Sequence, residues 1–143
     1  MADLSADLSA VEAFLTEPRN VMVAAIRADG RPQMTPNWFV WDGSRFWIST
    51  TRDRAKYRMF RRDPRVQLAI DDATGFRSVL LDGTVEIHED IPAGLATFRA
   101  IRAKHGRPMG DDRQLAEELT GEGRVLLAVT PAAPMDRWRT VGF

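Results

Sequence analysis

Between Arg52 and Arg65 the chain sets Arg52, Arg54, Lys56, Arg58, Arg61, Arg62 and Arg65 against only Asp53 and Asp63, although basic and acidic residues balance over all 143 residues. Three hydroxyls in a row, Ser49, Thr50 and Thr51, stand just upstream. If a strand ends at those hydroxyls and a helix begins at Arg54 and Lys56, O–H groups, free helix N–H groups and two cations converge on one spot. A phosphate is stabilised by that combination. Asp53 opposes it by repelling an anion. A second reading makes the same cations a solvated helix face, and composition does not separate the two.

The segment Gln33–Trp41 alternates in an extended pattern. Met34, Pro36, Trp38 and Val40 fall on one face, and Gln33, Thr35, Asn37, Phe39 and Trp41 on the other. The second face is half polar, as a strand beneath a flat heteroaromatic ring would be. Pro36 removes a ladder donor and points to a sheet edge or bulge. The aromatic residues Trp38, Phe39, Trp41, Phe46 and Trp47 read more simply as barrel core and subunit interface.

Other chemistry is thin. With no cysteine and only His88 and His105, thiolate chemistry and a histidine metal centre are set aside, and no metal site is expected. His88 reads as solvent-facing, and His105 as part of a mobile loop that could close over a site. The acids Asp71–Asp72, Glu89–Asp90 and Asp111–Asp112 are adjacent pairs, whose side chains diverge on a strand. No Walker loop, nucleophile elbow or G-x-G-x-x-G is present.

The elements that must hold these residues follow from periodicity. A helix is expected over Leu8–Leu15, capped by Ser5 or Ser9, and strands over Val21–Arg27, Gln33–Trp41 and Arg45–Thr50, forming a meander with turns at Ala28–Arg31 and Asp42–Ser44. Asp53 is expected to cap a helix that ends at Asp63–Pro64. Val66–Asp71 reads as a strand, and Phe76–Glu89 as a strand pair or one bent strand with a bulge at Asp82–Gly83. Helices are expected over Ala93–Lys104 and from Asp111 or Asp112 to Leu119, with a strand buried on both faces at Val125–Val129 and a last one at Met135–Thr140. One domain spanning residues 1–143 is expected, mainly β (α+β), a β-barrel with peripheral helices. Neutral net charge argues against a general nucleic-acid or membrane-surface partner, and the lack of a leader or long apolar run suits the cytoplasm.

The runs D-G-R-P-Q-M-T-P-N-W-F-V (Asp29–Val40), S-R-F-W-I-S-T-T (Ser44–Thr51) and R-A-K-Y-R-M-F-R-R-D-P-R-V (Arg54–Val66) resemble the split β-barrel, FMN-binding-like flavoproteins related to pyridoxamine phosphate oxidase. The resemblance is closest to the actinobacterial branch that uses the deazaflavin coenzyme F420. It implies a homodimer with two cofactors in grooves between subunits. Arg54 and Lys56 would grip the cofactor phosphate beside Ile48, Ser49, Thr50 and Thr51, and Gln33, Thr35 and Asn37 would lie beneath the ring. Phe76 and Ser78 would reach across from the partner, Ser78 leaving a roomier pocket than the larger aromatics of related chains. Trp138–Arg139 stands near the C-terminus as a tryptophan and arginine do in the oxidases, at a different spacing, and the oxidases' substrate-phosphate residues are not recognisable. The implied activity is an F420-dependent reductase acting on a small conjugated or heteroaromatic acceptor, with no catalytic side chain assigned. FMN in the same site and a non-enzymatic carrier or interaction module are the alternatives.

Overall fold

The computed structural model describes residues 6–143. In chain order the elements are α1 (Leu8–Thr16), β1 (Val21–Ile26), β2 (Pro32–Asn37), β3 (Phe39–Trp41), β4 (Phe46–Thr51), α2 (Ala55–Arg62), β5 (Arg65–Asp71), β6 (Ser78–His88), α3 (Ile91–Lys104), α4 (Asp112–Glu122), β7 (Arg124–Pro131) and β8 (Arg139–Val141). The strands form one antiparallel sheet in the order β2-β1-β5-β6-β7-β4-β3, with β8 added beside β6. β2 and β3 stand at opposite ends of that path, yet only Trp38 separates them in the chain. The sheet therefore curls until its two ends meet, giving a split β-barrel with helices around it.

The expected continuous strand Gln33–Trp41 is two strands. β2 pairs with β1 and β3 with β4, so the chain transfers from one neighbour to the other at Trp38. The meander survives with its middle member divided. The alternation survives as well: Gln33, Thr35 and Asn37 are partly covered, Phe39 is fully buried, and Met34, Pro36 and Trp38 face out. At the β3–β4 turn Asp42 accepts hydrogen bonds from the backbone N–H groups of Ser44 and Arg45, and Gly43 takes φ 93°, which L side chains rarely adopt.

The barrel core gathers Phe14, Phe39, Phe46, Ile48, Leu68 and Leu127 among others, and a second cluster of Phe98, Ile101, Leu115, Leu119 and Leu126 lies under α3 and α4. β7 serves both, as its apolar run anticipates. Trp138 is barrel core too, its indole N–H donating to the Ala133 carbonyl at 2.9 Å.

Several local expectations are corrected. Asp7, not Ser9, caps α1: it occupies the N-cap position and its carboxylate accepts from the N–H groups of Ser9 and Ala10, two and three residues on, whereas Ser9 is already inside the helix; Ser5 lies outside the described residues. β6 is one strand without a bulge, in continuous register first with β5 and then with β7. Gly83 serves a different end there, since a Cβ would stand 2.8 Å from the Thr130 carbonyl oxygen. The last segment is a 3-10 turn over Met135–Arg137 before β8, because burying Trp138 turns the chain inward. His105 closes the C-terminus of α3 instead of riding in the loop. No described helix is long and apolar enough to cross a membrane.

Candidate functional site

The split in the barrel is where ladder hydrogen bonds run out. β2 uses one edge against β1, while β4 pairs with β7 throughout but with β3 only over Phe46–Ile48. Ser49–Thr51 and the whole of β2 thus each present an unpaired edge to the gap that opens from Trp38. A cavity of about 510 Å³ fills this gap. Its walls are Gln33, Thr35, Pro36 and Asn37 from β2, Ser49, Thr50 and Thr51 from β4, Arg54, Ala55 and Lys56 from the start of α2, and Arg124 from β7.

Lys56 is only 7% exposed, and its Nζ donates to Thr35 Oγ1 at 3.1 Å. The Thr35 hydroxyl in turn donates to Asn37 Oδ1 at 3.3 Å, so the ammonium fixes the polar edge of β2. Among the described residues no carboxylate pairs with Lys56 or Arg54. Burial, reinforced by the positive charges of Arg54 and Arg124, pushes the Lys56 amine below its usual range. An ammonium held among cations is costly, and an incoming anion removes much of that cost.

Asp53 does not cap α2. The helix begins at Ala55 with Arg54 at its N-cap and no side-chain cap, leaving its first N–H groups toward the cleft. The Asp53 carboxylate accepts from the Thr51 hydroxyl instead, and that bond, against a small desolvation effect, holds it below the usual carboxylate range. It is exposed and does not line the cavity, so its opposition to an anion is weaker than expected.

The basic cluster itself divides. Arg52 pairs with Glu89, which also accepts from Tyr57; Arg62 donates to the Ile26 carbonyl; Arg65 pairs with Asp63; and Arg61 lies over the Tyr57 ring. Arg62, and Arg52 with Tyr57 through Glu89, tie the α2 region to the barrel, Arg61 and Arg65 are engaged locally, and Arg58 is exposed. Arg54 and Lys56 are left facing the cleft.

Of the expected site residues, the cavity brings together Gln33, Thr35, Asn37, Ser49, Thr50, Thr51, Arg54 and Lys56. Ile48 is fully buried in the barrel core and does not join them, because β4 is still paired on both edges there. Phe76 and Ser78 also lie off this wall; Phe76 is 79% exposed in the turn before β6. Arg124 is the residue sequence reasoning missed. Gly123 ends α4 with φ 67° and turns the chain into β7, where Arg124 stands opposite Thr51 and reaches Ser49 Oγ at 3.4 Å. Its one signal was a glycine followed by a cation at the head of an apolar strand.

Comparison with known proteins gives the family context. Residues 8–134 match the family described as Pyridoxamine 5'-phosphate oxidase. A solved structure named F420 Reductase is 30% identical with a TM-score of 0.69, over 85% of this chain and 93% of that one. A conserved hypothetical protein from Mycobacterium tuberculosis is 25% identical with a TM-score of 0.81, over 99% and 88% of the two chains. HutZ, a heme storage protein from Vibrio cholerae, shares the fold at 16% identity and a TM-score of 0.73, over 94% of each chain.

Proposed function

The chain belongs to the pyridoxamine 5'-phosphate oxidase family, and on that premise we propose that it is an F420-dependent oxidoreductase, passing a hydride between the deazaflavin and a small conjugated or heteroaromatic acceptor. The observation that carries this reading is Lys56, buried in a cleft with Arg54 and Arg124, hydroxyls on the facing strand, and no carboxylate on the wall. The 30% identity to the F420 reductase over most of both chains favours the deazaflavin as occupant.

When bound, the deazaflavin supplies the redox chemistry. The chain's own work is to hold and orient. Arg54, Lys56 and the Ser49, Thr50 and Thr51 hydroxyls take the phosphate at the uncapped start of α2, with charge-assisted bonds of about 1.5–3 kcal/mol each. Gln33 and Asn37 offer hydrogen bonds to the edge of a ring lying along β2, and Thr35, fixed by Lys56, sets its height. Positioning donor against acceptor then contributes most of the rate. The cleft wall holds no histidine, aspartate or glutamate, and no proton donor is assigned.

A second copy completes the groove. Met34, at 63% exposure, puts an apolar side chain on the outer face of β2, and Phe76 projects into solvent where it could enter a partner's cleft beside Ser78. FMN carries the same phosphate, so the test is titration of the purified apo protein with F420 and FMN side by side, with sedimentation to report assembly. Saturable F420 binding tighter than FMN, on a dimer, is expected. FMN binding tighter, or neither binding, overturns the reading.

A further inference from the structure

Pro36, Asn37, Ser49 and Arg124 also line a second cavity of about 300 Å³ that adjoins the cleft. It begins where the polar edge of β2 ends, away from the Arg54–Lys56 grip. Trp38, Phe98 and Ile101 supply apolar walls, and Arg102 and Arg107 face it. The counter-charges stand behind: Glu118 and Glu122, on α4, do not line it. Arg107 reaches Glu118 at 2.9 Å, Arg102 reaches Glu122 at 3.4 Å, and Arg124 reaches Glu122 at 2.7 Å. Three guanidinium groups thus share two carboxylates, and the wall facing the cavity is cationic.

Arg102 is the unusual member. It is 5% exposed, and its Nη1 lies 3.1 Å from Glu118 Oε1 without the alignment of a hydrogen bond. Arg102 and Arg107 are also joined through the backbone, the Arg107 N–H donating to the Arg102 carbonyl at 2.9 Å. Both terminal nitrogens of Arg102 lie against carboxylates, Nη1 without a hydrogen bond, so the positive charge left over among three guanidinium groups and two carboxylates, beside a partly apolar hole, fits a flat molecule ending in a carboxylate.

We propose that this second cavity is an anion subsite that takes a carboxylate borne by the hydride acceptor, gripped by Arg102 and Arg107 while Trp38, Phe98 and Ile101 cover the adjoining apolar body. The naming of the occupant as an acceptor rests on the oxidoreductase reading; the subsite itself does not. The acceptors are therefore conjugated acids in preference to their neutral esters.

The probes are 4-nitrocinnamate and its methyl ester, titrated calorimetrically at low ionic strength into apo protein and into protein saturated with FMN or F420. The acid should bind at least about tenfold tighter than the ester, the value of one charge-assisted bond. Arg107→Gln should abolish that preference while leaving F420 and FMN affinity unchanged. Glu118→Gln, which removes the competing carboxylate, should tighten the acid severalfold, and it tests the subsite even where Arg107→Gln fails to fold. Equal binding of acid and ester, or a preference that survives Arg107→Gln, overturns the proposal. A loss in Arg107→Gln confined to F420, which carries carboxylates that FMN lacks, assigns the subsite to the cofactor's tail and overturns it too. If acid preference persists where neither cofactor binds, the oxidoreductase reading fails and the subsite stands.

Discussion

The chain has only two lysines among twenty basic residues, and both are withdrawn from water. Lys104, in the last turn of α3, donates to the Leu15 carbonyl at 2.7 Å and sits 3.6 Å from the centre of the Phe39 ring. It satisfies an orphan carbonyl at the end of α1 and covers the core. Lys56, at the first turn of α2, meets one hydroxyl and two neighbouring cations. The fold provides the first ammonium with its partners and the second with a vacancy of charge. Burial depresses both amines, so what separates the structural Lys104 from Lys56, the lysine proposed to bind the ligand, is the partner set. A compact ammonium suits both posts, because a guanidinium is bulkier and needs more acceptors than either site holds.

Breaking the contrast at its binding end should give the largest effect. Arg54→Ala with Lys56→Ala should lower F420 affinity by about a hundredfold or more, each single change accounting for at least about tenfold. The melting temperature should hold or rise, because mutual repulsion is removed. Unchanged affinity in a fluorescence titration would make Lys56 a second structural lysine. Breaking the other end should do the reverse: Lys104→Met should cost about 1–3 kcal/mol in urea unfolding by stranding the Leu15 carbonyl, while F420 affinity stays within about twofold, as expected for distant sites. A Lys104 variant that lost cofactor and kept stability would erase the distinction.

How far this contrast was legible in the sequence follows from range. The cleft's near half, from Gln33 to Lys56, is contiguous, so strand alternation and charge clustering located it. The split itself was not visible, because a strand changing neighbours at Trp38 keeps its alternation in phase across the break. Arg124 was missed because the ladder, not the chain, brings it opposite Thr51. The cap on α2 was misassigned since Asp53 satisfies the local rule, and only the competing Thr51 hydroxyl shows where its carboxylate goes. His105 was read as mobile from its glycine neighbour, whereas stacking on Trp38 at 4.7 Å and 7° holds it. Lys104 carried no signal, as its carbonyl partner lies far back along the chain.

Titration should separate the two lysines with opposite signs, and more gently than substitution. If Lys56 grips the cofactor as proposed, affinity needs it charged, and since its amine is held below 10.5, affinity should begin to fall with rising pH before an ordinary lysine would lose its proton. Fluorescence titrations over the alkaline range would record this fall, which Lys56→Ala should abolish. Affinity flat to pH 10.5 would mean that Lys56 does not face the anion.

Lys104 acts on stability instead, and by the smallest amount. Its amine is pushed down to about 8 in the folded chain, mainly by burial and then by Arg19, against 10.5 as its ordinary value. Between those limits the unfolded chain binds more protons, so folding stability gains as pH rises through the window; below about 8 the burial cost is fully present. Lys56 adds a contribution of the same sign in the apo protein, which saturating cofactor should remove by keeping its ammonium charged. Calorimetric melts of the saturated protein at neutral and alkaline pH should therefore show a gain relative to Lys104→Met. If the variant gains equally, the alkaline stabilisation belongs elsewhere and the carbonyl-bound lysine is as comfortable charged as neutral.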